Sequence, residues 1–374
     1  MSRATRSRSA SSRSGPRQFW PLLTALALTV ACADGGQAER PASTTTASTA
    51  STSTSTLQPT TTTSTTPAPA PIPTGPAFAR DFPDPFVVWT GREYHAVSTT
   101  SGLLRVQHLD APDFVGWAGP DELLDSTPSW ATPLSTWAPA VLSLGDRHVL
   151  YFTAQVRGTS MHCISVAVAD SLDGPYRDDR TEPLLCPAER GGAIDPSPFV
   201  DRDGALWLLW KNDGVTLRRE SAIWIQRLSD DGVQLVGEPV ELIRTDQTWE
   251  YPHVEAPSMA RIGTTYWLAY SGNWWDDAAY GIGLARCETP IGPCAKPFDR
   301  PVVASQPGAE GPGGAEFFVD ASGRLLVAYH AWLGEPGYPG HRALFVALVV
   351  ADADIDTDIP VIEVVRSTPS VHLG

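Results

Sequence analysis

Basic residues and long hydrophobic runs are both scarce in this sequence. Five of the 27 Lys and Arg residues precede Cys32, which leaves 22 against 42 Asp and Glu and a net charge of −20. So acidic a chain repels phosphate backbones, which argues against nucleic acid as a partner. An apolar run near the N-terminus, "FWPLLTALALTVAC", is too short to span a bilayer. A neutral polymer is the partner that this composition favours.

The N-terminus has the order of an export signal. Five arginines and no acid precede the apolar run, as in a signal peptide. Thr29, Val30 and Ala31 stand before Cys32 as in a bacterial lipobox, in which that cysteine is lipidated, although an aliphatic residue is usual where Thr29 stands. We predict a lipoprotein-type signal peptide over 1–31, with ordinary signal cleavage nearby as the alternative. The protein is then exported, as a cell-surface lipoprotein or a secreted protein, and meets the membrane only through a lipid on Cys32.

A low-complexity segment separates this signal from the rest of the chain. Residues 32–77 consist mainly of Thr, Ser, Pro and Ala, which offer too little apolar surface to offset the entropy of ordering. We predict a disordered tether over 32–77 and a single folded domain over 78–374, which we expect to be a monomer.

A repeated hairpin pattern fills the folded part. Five times, a short apolar strand, a turn with glycine and a second aromatic-rich strand follow one another. The turn glycines are Gly91, Gly145, Gly204, Gly263 and Gly323, at successive spacings of 54, 59, 59 and 60 residues. Five units of this length predict an all-β, five-bladed β-propeller with four-stranded blades. An ordinary β-sandwich is the alternative.

The cysteines agree with export. Without Cys32 an even four are left, and oxidising compartments favour their pairing. Cys163 and Cys186 bracket one outer strand and its loop, and Cys287 and Cys294 flank "ETPIGP". We predict these two disulfides. Zinc binding is the rival interpretation, but no CxxC pair supports it.

Three acids stand at the start of repeats. Asp84 is seven residues before its turn glycine, Asp195 nine and Glu255 eight. The innermost strand opens each blade of a propeller, so we expect the three to share one mouth of the central channel, with Trp137 at the equivalent point of the second repeat. Crowded carboxylates raise one another's pKa, so that one stays protonated. Glycoside hydrolysis needs such a protonated acid beside an ionised base. Turn capping is the alternative role for each acid.

Two other acids lie near these positions. Asp81 is ten residues before its turn glycine and Glu250 thirteen. Neither keeps the spacing as well, so we expect both to be supporting or surface groups.

Five motifs appear in the order of a known family. "FPDPFVV", "STWAPAV", "GAIDPSPFVDRDG", "VEAPSM" and "YHAW" resemble glycoside hydrolase family 43, the arabinanase and xylosidase family with a five-bladed propeller. The match runs from Phe78 to nearly the C-terminus. The resemblance implies that Asp84 is the general base, Asp195 the carboxylate that tunes the acid's pKa, and Glu255 the general acid. It also implies inversion at the anomeric carbon, with about 6.5–9.5 Å between the two catalytic carboxylates.

Other positions carry over from the same resemblance. Trp137 stands where a sugar-stacking residue is expected, and His330 and Arg342 occupy fifth-blade positions that line the pocket. Blade packing, a core histidine and a surface arginine are their alternative roles. Gly314 in "GPGGAEFF" replaces the histidine that helps to hold an axial metal in many arabinanases of the family. We therefore expect no cofactor and assign no metal ligand, with an axial calcium in doubt.

These expectations combine into one hypothesis. The resemblance implies an exported, inverting glycosidase of neutral plant polysaccharide. The glycine form at Gly314, together with "WKND", "YSGN" and "GYPGHRALFV", looks most like exported actinobacterial members related to exo-acting α-L-arabinofuranosidases, and we expect that activity. A β-xylosidase or endo-arabinanase on the same fold is the first alternative. A surface lipoprotein that only binds glycan is the second.

Overall fold

A computed structural model describes residues 69–214, 220–351 and 360–363. The predicted signal peptide, Cys32 and most of the predicted tether lie outside these residues. No helix in the described ranges is long and apolar enough to cross a membrane.

Strands are the main regular elements of the described residues. Two 3₁₀ turns, Ala188–Arg190 and Thr248–Glu250, interrupt them. In chain order the strands are β1 (Phe86–Trp89), β2 (Tyr94–Ser98), β3 (Gln107–Ala111), β4 (Ala118–Glu122), β5 (Ala131–Leu144), β6 (Arg147–Val156), β7 (His162–Ala169), β8 (Ala193–Val200), β9 (Leu206–Asn212), β10 (Ala222–Leu228), β11 (Leu235–Arg244), β12 (Val254–Ile262), β13 (Thr265–Gly272), β14 (Gly281–Cys287), β15 (Cys294–Ala295), β16 (Glu310–Val319), β17 (Leu325–Trp332), β18 (Arg342–Ala351) and β19 (Pro360–Glu363).

These strands form five antiparallel sheets, each built from consecutive strands. Blade 1 contains β1–β4, blade 2 β5–β7, blade 3 β8–β11, blade 4 β12–β15 and blade 5 β16–β19. Sequential meanders of this kind are the units of a propeller. The predicted all-β, five-bladed propeller is therefore confirmed.

Blade 2 departs from the expected four strands. It has three in the described ranges, and the chain beyond β7 meets that strand at three isolated bridges, Val168 to Arg177, Ile164 to Leu185 and His162 to Gly192. Three prolines between residues 175 and 187 lack the N–H that a continuous ladder needs. The segment is held instead by the disulfide between Cys163 and Cys186.

Both predicted disulfides are present. Cys163 pairs with Cys186, and Cys287 pairs with Cys294. The second bond joins β14 to β15, where the two cysteines stand directly opposite each other. Each disulfide therefore fastens the outer edge of one blade.

The hydrophobic core is divided among the blade junctions. Five clusters of buried side chains each join two neighbouring blades. Tyr94 of β2 and Phe318 of β16 belong to the cluster that joins blade 1 to blade 5 and closes the ring. Burying one large apolar side chain contributes about 1.5–3 kcal/mol. Buried side chains from both neighbouring blades thus stabilise each junction of the ring.

Candidate active site

One unusual backbone conformation recurs at the start of all five innermost strands. At an equivalent point in or just before the innermost strand, each blade has a left-handed residue with φ between 42° and 62°, in the order Asp84, Ala138, Asp195, Ala256 and Gly314. Positive φ is costly for residues other than glycine. A register shift follows the residue in β5, β8, β12 and β16. The repeat places two carboxyl groups, Asp84 and Asp195, at equivalent positions.

These five residues line one cavity on the channel axis. It has an empty volume of about 300 Å³ and extends two residues further along the inner strands, to Ser197 and Glu316. The side chains at this level are mostly Ala, Pro and Gly, so the few polar groups there stand out.

Glu255 departs from the equivalence that the spacing predicts. The residue equivalent to Asp84 and Asp195 is Ala256, and Glu255 precedes it by one, as Trp137 precedes Ala138. Because neighbouring residues project differently, the Glu255 side chain faces the interface between blades 3 and 4 rather than the axis. It does not line the axial cavity. The charges of Glu255 and Asp84 nevertheless both raise the pKa of Asp195, so the three carboxyl groups lie close together.

A ring of hydrogen bonds fixes the five left-handed residues. The backbone N–H of each donates to a side chain of the preceding blade. The pairs are Asp84 to His330 (3.0 Å), Ala138 to Thr99 (2.8 Å), Asp195 to Thr153 (3.0 Å), Ala256 to Asp195 (2.9 Å) and Gly314 to Ser271 (3.0 Å). An unpaired buried N–H would cost about 1–3 kcal/mol. The bonds therefore both position the acids and join the blades.

Lys211 explains the one irregular member of this ring. It pairs with Ile194 in the sheet as Thr153 pairs with Trp137 and Ser271 with Glu255. A lysine ammonium cannot accept a hydrogen bond. The Asp195 carboxylate accepts from Ala256 instead, and Lys211 extends to the neighbouring Glu255.

Asp84 is held in an environment that favours a carboxylate. The Thr99 hydroxyl donates to its Oδ2 at 2.6 Å, and Arg342 Nη1 lies 3.6 Å from its Oδ1. About a quarter of the Asp84 side chain is exposed, at 23%. A partly open, hydrogen-bonded carboxylate near a cation suits a base that must reach a water molecule.

His330 is neutral and acts as an acceptor. Burial, followed by the nearby Arg342, lowers its pKa to about 3. Its Nδ1 accepts the Asp84 N–H, so the 3.4 Å approach of Nδ1 to Asp84 Oδ1 is not an ion pair. The predicted pocket residue His330 thus holds the Asp84 backbone.

Arg342 is buried among aromatic side chains, not at the surface. Its guanidinium carbon lies 4.7 Å from the Trp275 ring centroid and 5.8 Å from that of Trp332, and Tyr338 packs against both rings. Cations stack favourably on such faces. This group forms a wall beside Asp84.

Glu255 carries the strongest contacts of the three acids. Lys211 Nζ donates to Oε2 at 3.0 Å and the Tyr280 hydroxyl to Oε1 at 2.8 Å, while His253 Nε2 lies 3.4 Å from Oε2 without hydrogen-bond geometry. Burial raises the pKa of Glu255, but Lys211 and then His253 outweigh it and hold that pKa well below its usual range.

Asp195 holds the proton instead. Burial, followed by the charge of Glu255, raises the pKa of Asp195 to about 8. We expected Asp195 to keep Glu255 protonated, whereas Lys211 and His253 hold the pKa of Glu255 below that of Asp195, and the role of Asp195 stays a prediction. Because the two groups are coupled, the proton belongs to the pair. Below about pH 8 the pair retains one proton.

Trp137 lies near this site with a partner of its own. Its ring is tilted by 30° against the ring of His162, 4.0 Å between centroids, and His162 Nδ1 lies 3.0 Å from Asp213 Oδ2. The ring is only partly buried. Its sugar-stacking role stays a prediction.

The sequence interpretation missed Lys211, Tyr280 and Thr99 as partners of the acids. Thr99 and Lys211 both lie near the end of the second strand of a repeat hairpin, Thr99 directly after β2 and Lys211 one residue before the end of β9. The repeat alignment that found the acids could therefore have found them too. Tyr280 lies in a loop outside that pattern, where spacing gave no signal.

Of the two rival acids, Glu250 has a clear structural role. It is fully buried, accepts the Tyr270 hydroxyl at 2.8 Å, and has Lys296 Nζ at the same distance. It also caps the 3₁₀ turn before β12. Asp81 accepts the Ser101 hydroxyl and the Arg342 N–H. Both are supporting groups, and Glu250 is not at the surface.

The axial donors do not fit a protein-held metal ion. A Cβ on Gly314 would lie 2.7 Å from His330 Nδ1, so His330 occupies the space that a side chain at position 314 would need. Glu316 Oε1 accepts the Ser197 and Ser258 hydroxyls, both at 2.9 Å. Among the described residues, no three metal-binding side chains converge at the axis. That the protein needs no cofactor stays a prediction.

Known proteins share this fold and parts of this sequence. A model of glycosyl hydrolases family 43 matches residues 73–354. An extracellular endo-α-(1→5)-L-arabinanase of Thermotoga petrophila is 27% identical over 154 residues, 34% of this chain and 33% of that protein. Extracellular endo-α-(1→5)-L-arabinanase 2 of Bacillus subtilis is 26% identical over 253 residues, 60% of this chain and 51% of that protein. The matches thus span a third to a half of these relatives.

A solved structure matches more completely. The crystal structure of a thermostable family-43 glycoside hydrolase superposes with a TM-score of 0.67 at 25% identity, over 76% of this chain and 93% of that one. The five-bladed architecture and the order of the sequence motifs therefore both agree with these matches.

Proposed function

The chain belongs to glycosyl hydrolase family 43, and from that premise we propose that it is an inverting glycosidase that releases arabinose from arabinan or arabinoxylan. One observation carries the proposal: Asp195, whose pKa burial raises to about 8, lies close to Glu255 and to Asp84, whose partly exposed carboxylate accepts the Thr99 hydroxyl. Inverting hydrolysis needs this combination of a proton donor and a base.

Asp84 is the proposed general base. Its carboxylate accepts a hydrogen bond from Thr99 and keeps a partly exposed edge, where it can deprotonate a water molecule. The hydroxide attacks the anomeric carbon on the face opposite to the leaving oxygen, and the configuration inverts.

Glu255 is the proposed general acid and Asp195 the residue that supplies and controls its proton. The pair holds the proton on Asp195 while Lys211 neutralises Glu255. The proposal requires that the proton reside on Glu255 once the glycosidic oxygen is bound, so substrate must weaken the contact between Lys211 and Glu255. Tyr280, whose burial keeps its pKa well above the usual range, stays protonated and orients the Glu255 carboxyl.

The exo-acting form is favoured by the aromatic wall. Trp275, Trp332 and Tyr338 surround Arg342 on the Asp84 side of the mouth, where a polysaccharide that continued past the site would have to pass. Trp137 and Arg342 are the proposed sugar contacts. We therefore propose an α-L-arabinofuranosidase that acts on chain ends or branches.

Endo-arabinanase is the second candidate. Two relatives of this chain are named as extracellular endo-α-(1→5)-L-arabinanases. The word extracellular in their names supports the proposal that this chain is exported, and the word arabinanase supports a plant polysaccharide as its partner. From the sequence alone we propose Cys32 as the lipid anchor. We propose a monomer.

Product analysis tests the proposal. The purified protein is incubated with linear arabinan, arabinoxylan and xylo-oligosaccharides, with Glu255→Gln as the inactive control. Arabinose alone from the wild type supports exo action, longer arabino-oligosaccharides support endo action, and xylose supports a β-xylosidase. If a substrate is retained but never cleaved, the protein only binds glycan and the proposal fails.

A further inference from the structure

A second group of ionisable side chains lies away from the channel mouth. His95 lies on β2 and His108 on β3 of blade 1, and Asp173 follows β7 of blade 2. His95 is four residues before Thr99, towards the opposite end of the blade. We propose that these three side chains bind a divalent transition-metal ion such as Zn²⁺ and thereby join blade 1 to blade 2. The proposal does not depend on the hydrolytic function.

The distances between donor atoms carry this inference. His95 Nδ1 lies 2.9 Å from His108 Nε2 and 3.4 Å from Asp173 Oδ1, and His108 Nε2 lies 4.0 Å from the same oxygen. In tetrahedral zinc sites with bonds of about 2.0–2.1 Å, neighbouring ligand atoms are about 3.4 Å apart. The three separations bracket this value.

The setting of the ligands suits a metal site that is rigid but open. Both imidazoles are only 7% exposed and are stacked at 19°, because each is fixed within a strand. Asp173 is 68% exposed, which leaves a path for the ion and a fourth position for water. Glu93 Oε1 lies 3.9 Å from His95 Nε2, on the side where a carboxylate commonly orients a metal-bound imidazole.

A hydrogen bond between two neutral histidines is the competing explanation. It accounts for the 2.9 Å contact, but it gives no reason for an aspartate of another blade to lie within 4.0 Å of both facing nitrogens. Among the described residues, this is also the only place where three His, Cys, Asp or Glu donors converge so closely.

Titration with Zn²⁺ tests the site directly. The full chain, made without a histidine tag and stripped with a chelator, is titrated by calorimetry, and Co²⁺ replaces Zn²⁺ for absorption spectroscopy. We expect one ion per chain, a tetrahedral Co²⁺ spectrum and a higher Tm with Zn²⁺. Absence of binding by the wild type would overturn the proposal.

Variants separate the site from adventitious binding. His108→Gln should weaken Zn²⁺ binding at least tenfold, and Asp173→Asn, at an exposed position that folding does not require, should weaken it less and lower the Tm gain. His341→Gln, at an exposed histidine outside the group, is the matched control and should bind as the wild type does. Equal affinity in all four proteins would show that the three residues hold no metal.

Discussion

The junctions between blades 2 and 3 and between blades 3 and 4 share one backbone design but differ in one side chain. At the first, Thr153 accepts the N–H of Asp195. At the second, the equivalent residue is Lys211, which cannot accept, so Asp195 accepts the N–H of Ala256 and the lysine pairs with Glu255. The hydroxyl at the first junction only accepts a backbone hydrogen bond. The ammonium at the second junction interacts with one acid and leaves the backbone hydrogen bond to the other.

A second carboxyl in the channel shows what the lysine contributes. Glu316 receives two serine hydroxyls and no cation, and burial raises its pKa to about 8. Glu255 is more deeply buried than Glu316, yet Lys211 and His253 hold its pKa well below its usual range. The cation, and not the depth in the channel, decides which acid is ionised.

Removing either proposed catalytic carboxyl should have the largest effect. Because general acid–base catalysis contributes about 10²–10⁴-fold, Asp84→Asn and Glu255→Gln should each lower kcat/KM on arabinan by about 10³. Glu255→Gln should also lower the Tm, because it leaves the buried Lys211 ammonium without its carboxylate. Glu241→Gln, at a surface ion pair with Arg244, is the control and should keep full activity. Activity of either channel variant near the wild-type level would remove that residue from the mechanism.

Lys211→Met should place Glu255 in an environment like that of Glu316, without a neighbouring lysine. Without the ammonium, the pKa of Glu255 rises, so the alkaline limb of the kcat/KM profile should shift to higher pH. Breaking a buried pair costs about 3 kcal/mol, and we expect this loss of unfolding free energy at pH 8 but less at pH 5, where Glu255 takes up a proton. An unchanged pH profile would show that Lys211 does not control the acid.

Glu316→Gln should change stability in a pH-dependent way. The folded-state pKa of Glu316 is above its unfolded value of 4.5, so its contribution is fully present below that pH and is lost as pH rises through about 8. The variant does not titrate and should therefore gain unfolding free energy over the wild type between pH 5 and 9, by about 2 kcal/mol, because channel water moderates the full shift. A constant difference in chemical denaturation across this range would contradict the assignment.

Thr153→Val should affect the ordinary junction in the smallest and simplest way. It leaves the Asp195 N–H without its acceptor, which costs about 1–2 kcal/mol of unfolding free energy. The alkaline limb should stay where it is in the wild type, in contrast to Lys211→Met. A shift of that limb as large as the lysine variant's would show that the two junctions do not differ in the way proposed.

The repeat spacing predicted the propeller because each blade buries its strands in the same way and needs one turn glycine. It also found Asp84, Asp195 and Glu255, yet it treated them as equivalent. Spacings of seven, nine and eight residues do not reveal that the first two have positive φ and that Glu255 does not. The local backbone decides that Glu255 faces Lys211 rather than the axis.

Protonation was the part that the sequence could not reveal. That acids crowd together follows from repeat position, but the pKa order depends on Lys211 and His253, which lie within 3.4 Å of Glu255. The Lys211 contact joins two different hairpins, so the spacing within one repeat cannot predict it. Gly314 likewise predicted a missing metal ligand, but not that His330 fills its place.

The dependence of rate on the leaving group tests the central claim most directly. Glu255→Gln and Asp84→Asn are each assayed on arabinan and on an aryl α-L-arabinofuranoside whose leaving phenol needs no protonation. If Glu255 is the acid and Asp84 the base, Glu255→Gln should recover most of its rate on the aryl substrate, whereas Asp84→Asn should stay slow on both. Equal losses on both substrates for Glu255→Gln, or recovery by Asp84→Asn, would contradict the assignment.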